Sequence, residues 1–476
     1  MKILRPKIQL LDKQHITQIF TEAKNILETL GIFIENREAI ELLKSNGIPH
    51  KDSRYFIPSD LVDKCLGVVP SEIDIYDREG KEFLSLKGDN SYFNPGSAAM
   101  HILDETTRQR RRATSQDFIR FSKIVEQLKY IEAQSTALIC QDVPLEAQDW
   151  HRLFICLTNC FKPIITGTFR KESFAIMREL LLACRLSEND LSRKPLAIFD
   201  AAPSPPLKWT DLTTQAIIDG AKSMIPIEFV SMPIGGANAP ITLIGSITQH
   251  CAENLAGTVI SQLTTRRAPL IWGGSPSMMD MKYGTPPMSA IESMMVNIGG
   301  VEIGKFLNIP THAYMSVSDS MVPDTQAGLE AGMGILLGAL AGINVISGPG
   351  MLEFESMQSI EKLLIDNEIV GMVKRFISGI EDYGTPFAMD ILKDYELKGQ
   401  LLSHPTTKKL FKKELFLPSS IINRMSYNLW NNSGAKSTRK RAIEEASKLA
   451  NKAPIKPIEE NILTELDKIA SNHLNK

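Results

Sequence analysis

The sequence has almost no excess charge of either sign. Across 476 residues, 53 Lys and Arg residues are balanced by 55 Asp and Glu residues, for a formal net charge of −2. Such a chain has no long-range field that would attract a phosphate backbone. Its one basic cluster, residues 108–112, has no interleaved aromatic residues and is typical of a solvated turn. We therefore exclude nucleic acid as a partner.

Long apolar runs are also missing. The N-terminus has no apolar run long enough for a secretory signal. Residues 331–352 carry no charge, but several glycines, Asn344 and Pro349 interrupt them, and no Trp, Tyr, Lys or Arg marks a membrane interface. This stretch predicts a buried helix followed by a buried strand, in a cytoplasmic protein without a membrane span.

The six cysteines show no C-x-x-C spacing, and we expect no disulfide framework in a cytoplasmic chain. Cys156 and Cys160 are four residues apart and would share one helix face, with His151 close in sequence. A zinc site is one interpretation of this group. Core thiols are the interpretation that the spacing favours.

The common catalytic motifs are absent as well. The sequence contains no G-x-S-x-G, no H-E-x-x-H and no Walker A motif, and its eight histidines are scattered without metal-ligand spacing. No G-x-G-x-x-G opens a helix after an early strand, which argues against a dinucleotide-binding fold. A metal-dependent hydrolase barrel would show clustered His and Asp at strand ends, and this chain does not.

What the sequence does contain is a regular alternation of short apolar runs and helix-period segments. Eight such runs begin near Tyr92, Ile131, Ile164, Leu196, Ile227, Pro269, Thr311 and Ile343. Eight strand–helix units in this span favour an α/β fold, a (β/α)₈ TIM barrel over residues 90–400. Residues 1–89 predict an N-terminal helical cap with short strands. Residues 401–476 predict a C-terminal helical extension, which we place at a subunit interface of a homo-oligomer.

Two helix starts can also be read from the sequence. Thr114 and Asp117 have the spacing of a capping box, and Asp324 precedes a helix whose first amides it can accept. The segments that follow the eight strands are rich in Gly, Pro, Ser and Ala, such as "FNPGSAAM" and "SGPGML". Because the carboxyl ends of barrel strands carry the active site, a mouth with so little bulk would admit a large flat group.

Aromatic and acidic residues occur at these strand ends. The aromatic candidates are Phe93, Phe199, Trp272, Tyr283, Tyr314 and Phe354, and the acidic ones are Asp200, Glu228, Asp280 and Asp319. Such groups without proton-transfer partners suit an ammonium cation held by cation–π contact. The alternative is that most of these rings belong to the barrel core. Trp272 and Tyr283 are the favoured pocket walls because glycines and a turn surround them.

Three segments resemble one known family. "WGGSPSMMDMKYGTP", "SVSDSMVPDTQAGLEAG" and "YFNPGSAAMHILD" are similar to the trimethylamine:corrinoid methyltransferase superfamily, in its branch without pyrrolysine that demethylates quaternary amines such as glycine betaine. The resemblance covers nearly the whole chain. It implies a cytoplasmic (β/α)₈ barrel of anaerobic C1 metabolism that moves a methyl group to the cobalt(I) of a corrinoid. That corrinoid is held by a separate partner protein, so no cofactor is tightly bound to this chain.

The resemblance also suggests roles for individual residues. Asp319 and Glu228 are the candidate catalytic residues. A betaine carboxylate would need a partner, and the candidates are Arg170, His312 and the backbone amides of a turn at Gly273 and Gly274. Arg170 can equally be a surface residue, and His312 a core histidine.

Other functions remain open at this stage. Proline betaine and carnitine are alternatives to glycine betaine as substrate, and a trimethylamine-type enzyme is an alternative class. A lyase or aldolase would use a strand-borne lysine, for which the chain offers only Lys162, Lys194, Lys282 and Lys305. A barrel that binds an ammonium solute without turning it over is the non-enzymatic alternative.

Overall fold

The structure of the protein is a computed structural model that describes residues 4–398 and 400–474. Its centre is a set of eight parallel strands, which confirms the predicted barrel. The strands are β1 (Tyr92–Asn94), β2 (Gln134–Ser135), β3 (Ile164–Gly167), β4 (Ala197–Ala201), β5 (Ile227–Phe229), β6 (Leu270–Gly274), β7 (Thr311–Tyr314) and β8 (Val345–Ser347).

From β2 to β8 each strand pairs with the next one in the chain, and β8 pairs with β1. Backbone hydrogen bonds also link the region of β1 to that of β2. The amide of Glu132 donates to the carbonyl of Phe93 at 2.8 Å, and the amide of Ala98 donates to the carbonyl of Thr136 at 3.1 Å. The result is a nearly closed parallel barrel.

Helices surround the barrel and extend it at both ends of the chain. They are α1 (Lys13–Thr29), α2 (Arg37–Ser45), α3 (Ser59–Leu66), α4 (Ser115–Gln127), α5 (Gln148–Asn159), α6 (Ser173–Leu182), α7 (Glu188–Arg193), α8 (Asp211–Ser223), α9 (Leu243–Thr264), α10 (Ile291–Phe306), α11 (Thr325–Leu340), α12 (Ile360–Ile377), α13 (Met389–Lys398), α14 (Pro405–Glu414), α15 (Tyr427–Asn432), α16 (Thr438–Ala450) and α17 (Glu460–Leu474). In the described part of the chain, none of them is long and apolar enough to cross a membrane.

Both predicted helix starts are confirmed. The side chain of Thr114 accepts from the amide of Asp117, and the Asp117 carboxylate accepts from the amide of Thr114, which completes the capping box of α4. Asp324 caps α11 by accepting the amide of Ala327 at 3.1 Å. Side-chain acceptors at these positions satisfy amides that have no partner within the helix.

A β-hairpin closes the amino-terminal end of the barrel. It consists of Ile73–Tyr76 and Glu82–Leu86, which pair antiparallel. Its apolar side chains form one buried cluster with side chains from the barrel interior, namely Ala133, Ile165, Ile198, Ile271 and Val345. The hairpin therefore acts as a plug, and the cavity of the barrel can open only at the carboxyl ends of the strands, which we call the mouth.

A second, smaller sheet lies in the loops at the mouth. It is built from four short strands, His101–Leu103, Arg110–Arg112, Met351–Leu352 and Met357–Gln358, in the loops that follow β1 and β8. Outside the barrel, α1 and α3 pack on α9, α16 packs on α12 and α4, and α17 packs on α5 and α6. These layers hold the barrel and leave the mouth loops to form the candidate site.

Candidate active site

Strand alternation decides which side chains face the interior of the barrel at its mouth. Successive side chains of a strand point to opposite faces, so the residue two positions after a plug-contacting residue also points inward. Ile198 contacts the plug, and Asp200 therefore lies above it in the interior. The inward positions above the plug are Asn94, Ser135, Gly167, Asp200, Glu228, Gly273, His312, Tyr314 and Ser347.

Asp200 and Glu228 form a carboxyl pair among these inward positions. They are register partners on β4 and β5. Burial raises the pKa of Asp200 to about 7, although its interaction with Glu228 and the Arg152 guanidinium act against the rise. Burial and the Asp200 charge raise the pKa of Glu228 well above its ordinary value. The pair therefore holds at least one proton at neutral pH and carries at most one negative charge.

A polar chain continues from Glu228 around the barrel wall. Nε2 of His312 lies 3.4 Å from Oε1 of Glu228 and 3.1 Å from Oγ of Ser347, which in turn donates to Oδ1 of Asn94 at 2.9 Å. Both carboxyl oxygens of Glu228 and Nδ1 of His312 are buried, and none of the three has a hydrogen-bond partner among the described residues. Burial lowers the pKa of His312 to about 3, so the imidazole is neutral.

Tyr314 and Glu355 lie nearer the mouth. The Tyr314 hydroxyl accepts the amide of Ser97 at 3.3 Å, and burial together with the charges of Asp200, Glu355 and Glu228 raises its pKa. Burial also raises the pKa of Glu355 to about 8, and the Ser275 hydroxyl donates to its Oε1 at 3.2 Å. Glu355 is thus a mostly neutral carboxylic acid at pH 7, in the loop that follows β8, whereas Asp200 is on β4.

The backbone around Glu355 is unusual. Glu353, Phe354 and Glu355 have φ values of 51°, 52° and 71°, so three consecutive non-glycine residues are left-handed. Such conformations cost free energy and persist only where surrounding contacts hold them. They form the tip between the strands Met351–Leu352 and Met357–Gln358. Glu355 could not be identified from the sequence, because no turn motif marks this tip.

Asp319 and Phe354, which were also predicted to lie at the mouth, have different environments. The Asp319 carboxylate accepts the amides of Met288 and Ser289, both at 2.9 Å, and burial raises its pKa to about 6. Asp319 thus anchors the loop that follows β6, beside the site. Phe354 is half-buried against the main core at the left-handed tip.

Three aromatic residues that were predicted to line the pocket point out of the barrel instead, so this prediction is wrong. Phe93, Phe199 and Trp272 occupy the strand positions next to the inward-facing Asn94, Asp200 and Gly273, so they point outward. The Trp272 indole N–H donates to the carbonyl of Gly300 in α10 at 3.0 Å. The Phe199 ring contacts Phe174 of α6, and the Phe93 ring lies under Lys374 of α12. All three belong to the core between the barrel and its helices.

The predicted turn at Gly273 and Gly274 is also corrected, because both residues are part of β6 and pair with His312 and Ala313. A Cβ on Gly273 would lie 2.4 Å from the carbonyl oxygen of His312, and one on Gly274 would lie 2.2 Å from that of Ser231. The glycines are therefore required by close strand packing. They do not present free amides to a ligand.

Tyr283 and Arg170 lie at the surface of the mouth loops. Tyr283 is 71% exposed, and the ammonium group of Lys282 lies 4.9 Å from the centroid of its ring. It is not a pocket wall in this structure. The Arg170 side chain is 42% exposed and faces Glu146 at 3.4 Å and Glu172 at 3.9 Å. His312 is a buried neutral histidine, which removes it as a cationic partner for a carboxylate.

The alternative chemistries receive no geometric support. The described residues contain no group of three or more His, Cys, Asp and Glu arranged to hold a metal ion, and Cys156 and Cys160 are buried free thiols. Lys162 donates to the three backbone carbonyls of Val125, Leu128 and Ile131, which occupies its ammonium group.

Comparison with known proteins agrees with this architecture. The family described as trimethylamine methyltransferase (MTTB) matches residues 2–473. A trimethylamine methyltransferase MttB of Desulfitobacterium hafniense (strain DSM 10664 / DCB-2) is 29% identical over 458 residues, covering 96% of this chain and 92% of the relative. A glycine betaine methyltransferase of Desulfitobacterium hafniense (strain Y51) is 26% identical over 432 residues, covering 90% and 89%.

A solved structure shows the same fold. The monomethylamine methyltransferase MtmB of Methanosarcina barkeri superposes with a TM-score of 0.51 at 12% identity, over 93% of this chain and 89% of that one. An identity this low supports the shared fold alone. The match to the family over residues 2–473, in contrast, spans nearly the entire sequence. The chain is therefore a methyltransferase that belongs to the trimethylamine methyltransferase (MTTB) family.

Proposed function

We propose that the protein transfers a methyl group from a small quaternary amine, with glycine betaine as the first candidate, to the cobalt(I) of a corrinoid held by a separate partner protein. The observation that carries this proposal is the Asp200–Glu228 pair, a carboxyl pair inside the mouth in which the raised pKa of Asp200, about 7, lets it ionise near neutral pH. A fixed cation placed above it would gain a favourable interaction in a poorly solvated site.

The surroundings of the pair support a cationic ligand. The cation that acts on Asp200 is Arg152, but its guanidinium already donates to the carbonyls of Gln148, Thr136 and Gly167. Asp200 itself keeps partial solvent access from the mouth. The negative charge of the pair is thus reachable and not fully compensated, as expected of a site that receives a cation.

The proposed reaction requires little acid–base chemistry from these residues. Displacement of a methyl group from a quaternary nitrogen releases a neutral tertiary amine, so no proton has to move before the carbon–nitrogen bond breaks. The substrate loses its charge during the step, so the site must orient the methyl group without holding the cation too strongly. The proton held by the pair can afterwards pass to the released amine.

The proposed substrate also carries a carboxylate, and Glu355 offers it a partner. Because its pKa is raised to about 8, the Glu355 carboxyl group is protonated at pH 7 and can donate a hydrogen bond to a carboxylate. Asp200 on one side and protonated Glu355 on the other would match the two ends of a betaine. This assignment replaces the earlier candidates Arg170 and His312.

The corrinoid would approach from the mouth and supply the nucleophilic cobalt for the displacement. Ser97, Ala98 and Gly167 line its rim and are partly exposed. Small side chains at these positions leave room for a broad, flat ring, which fits delivery by a partner protein. The substrate nitrogen would lie below the rim, over the carboxyl pair.

The proposal is tested by anaerobic mixing of the protein with a reduced corrinoid protein and one of several amines. The amines are glycine betaine, proline betaine, carnitine and trimethylamine. We expect methyl-cobalt absorbance, with an equal amount of demethylated product, for a betaine. Methylation from trimethylamine alone would overturn the quaternary substrate, and tight binding of all amines without any product would favour a binding protein.

A pH series separates the two ends of the substrate. Calorimetry should show that glycine betaine binds more weakly as the pH rises through about 8, because Glu355 then ionises and repels the carboxylate. Tetramethylammonium, which has no carboxylate, should not lose affinity. In Glu355→Gln the alkaline loss should disappear, since an amide donates at any pH. A wild-type betaine affinity that changes between pH 7 and 9 in the same way as that of tetramethylammonium would contradict the role of Glu355.

A further inference from the structure

A fully buried ion pair lies beneath two of the mouth loops. Lys362 and Asp366 are four residues apart on α12, with side chains 2% and 1% exposed. Nζ of Lys362 donates to Oδ2 of Asp366 at 2.6 Å. The pair makes no contact with the carboxyl pair above the plug, so the proposed chemistry does not use it directly.

Each partner also holds one mouth loop. Nζ of Lys362 donates to the carbonyl of Ser316, in the loop that follows β7, at 2.9 Å. Oδ2 of Asp366 accepts the amide of Gly350, in the loop that follows β8, at 2.8 Å. Gly350 has a φ of 89°, a conformation that favours glycine. One ion pair therefore connects two loops whose barrel strands are neighbours.

The same two loops carry acidic residues of the site. Asp319 lies in the first loop and Glu355 in the second. The loops bond to each other directly, since the amide of Ser318 donates to the carbonyl of Met351 and the amide of Glu353 to that of Ser320, both at 3.1 Å. Glu353 also forms an ion pair with Arg110 at 2.9 Å. These contacts surround the left-handed tip at its base and its side.

We infer that Lys362 and Asp366 are positioning residues, whose ion pair clamps the loops after β7 and β8 and thereby sets the place of the Glu355 carboxyl group in the mouth. The effect on substrate rests on the proposed function. The mechanical part, a tip held in a costly backbone conformation by a buried pair below it, rests on contacts within the protein alone.

The use of charge at this place has a physical reason. A buried ion pair is often no more stabilising than well-packed apolar side chains of similar size. Apolar side chains, however, could not bond the Ser316 carbonyl and the Gly350 amide. The pair supplies one donor and one acceptor for two loops, and Nζ of Lys362 also donates to Oδ2 of Asp366. Its contribution is therefore the fixed geometry of the loops more than overall stability.

Two variants of the full chain test the clamp. Asp366→Asn removes the charge and keeps a similar shape. The double variant Lys362→Met with Asp366→Leu removes both charges together, which avoids leaving one buried charge alone. Lys374→Met is the matched control, because Lys374 is also on α12 and pairs with Glu132 near the start of β2, away from the mouth. Each protein is studied by amide hydrogen exchange and by kinetics with glycine betaine.

Both clamp variants should exchange faster than the wild type in residues 348–358, without a similar change in β3 and β4. Their KM for glycine betaine should rise about 10- to 100-fold with a smaller change in kcat, because Glu355 contributes binding in the ground state and the transition state alike. The alkaline loss of affinity should also begin at a lower pH, as a less buried Glu355 ionises more easily. Lys374→Met should show none of these effects.

Clamp variants that match Lys374→Met in exchange and in KM would overturn the inference. The exchange measurement needs no substrate. If neither glycine betaine nor the other betaines bind the wild type, the proposed function fails, while faster exchange at residues 348–358 would still support the clamp.

Discussion

Oε1 of Glu228 on β5 lies 3.4 Å from Nε2 of His312 on β7, although β6 runs between these two strands. The contact is possible because the inward position of β6 beside His312 is Gly273, which has no side chain. Both groups are buried, and the imidazole is neutral. A missing side chain on one strand thus allows a polar chain to run from the carboxyl pair across the barrel wall.

The first prediction concerns this glycine. Gly273→Ala would place a methyl group 2.4 Å from the carbonyl oxygen of His312, which requires backbone movement. We expect a loss of about 3 kcal/mol or more in the free energy of unfolding. Gly332→Ala is the control, because this glycine in α11 has open space around it and alanine favours the helix by roughly 0.5–1 kcal/mol. Denaturant unfolding that shows equal stability for both variants would contradict this view of Gly273.

The second prediction concerns Trp272. Trp272→Leu should cost about 2–4 kcal/mol of stability, because it leaves a cavity under α10 and removes the indole hydrogen bond to the Gly300 carbonyl. The affinity for glycine betaine should stay within about threefold of the wild type among folded molecules. Calorimetry on the variant below its melting temperature checks this. A loss of affinity without a loss of stability would indicate that Trp272 lines the pocket.

The third prediction is a pH dependence of stability. The pKa of Asp200 is raised from 3.8 to about 7, so folding favours its neutral form. The resulting stabilisation is complete below pH 4 and is lost as the pH rises to about 7. Asp200→Asn removes this titration. Its melting temperature relative to the wild type should therefore rise by roughly 2–4 °C between pH 4 and pH 8, and a difference that is constant over this range would contradict the raised pKa.

Asp200→Asn should also show a functional cost. The variant removes the negative charge over which the substrate cation is proposed to sit. The wild type should be stabilised by saturating glycine betaine and the variant much less, as ligand-induced shifts follow affinity. A variant that is both more stable at pH 8 and unresponsive to the amine would separate the two roles of this carboxylate.

The fold could be predicted from the sequence because eight apolar runs recur at the spacing of strand–helix units, and each run became a barrel strand. The capping residues Thr114 and Asp324 were predictable for a similar reason, since their bonding is local. It was harder to predict from the sequence which strand side chains point into the barrel and which point out of it. Phe93, Phe199 and Trp272 were predicted to face the pocket, but each is next to an inward-facing residue in the chain. A shift of one residue moves a strand side chain to the other face.

Other parts of the site depend on distant contacts. Glu355 lies in the mouth because a left-handed tip, a hairpin and the buried pair on α12 hold it there, and no local pattern near "LEFES" indicates these constraints. The pairing of Asp200 with Glu228 depends on the register between two strands nearly 30 residues apart along the chain. Both residues could be named as acidic strand-end residues, but their shared proton follows only from their proximity in a buried site.

The most direct test of the account is the comparison of glycine betaine with 3,3-dimethylbutyrate, which has the same shape and carboxylate but carbon in place of the charged nitrogen. If the carboxyl pair recognises a fixed cation, calorimetry at pH 7 should show at least about 100-fold tighter binding of glycine betaine, or about 2.7 kcal/mol. Equal affinity for the two compounds would show that the mouth does not recognise the positive charge and would contradict the proposed amine site.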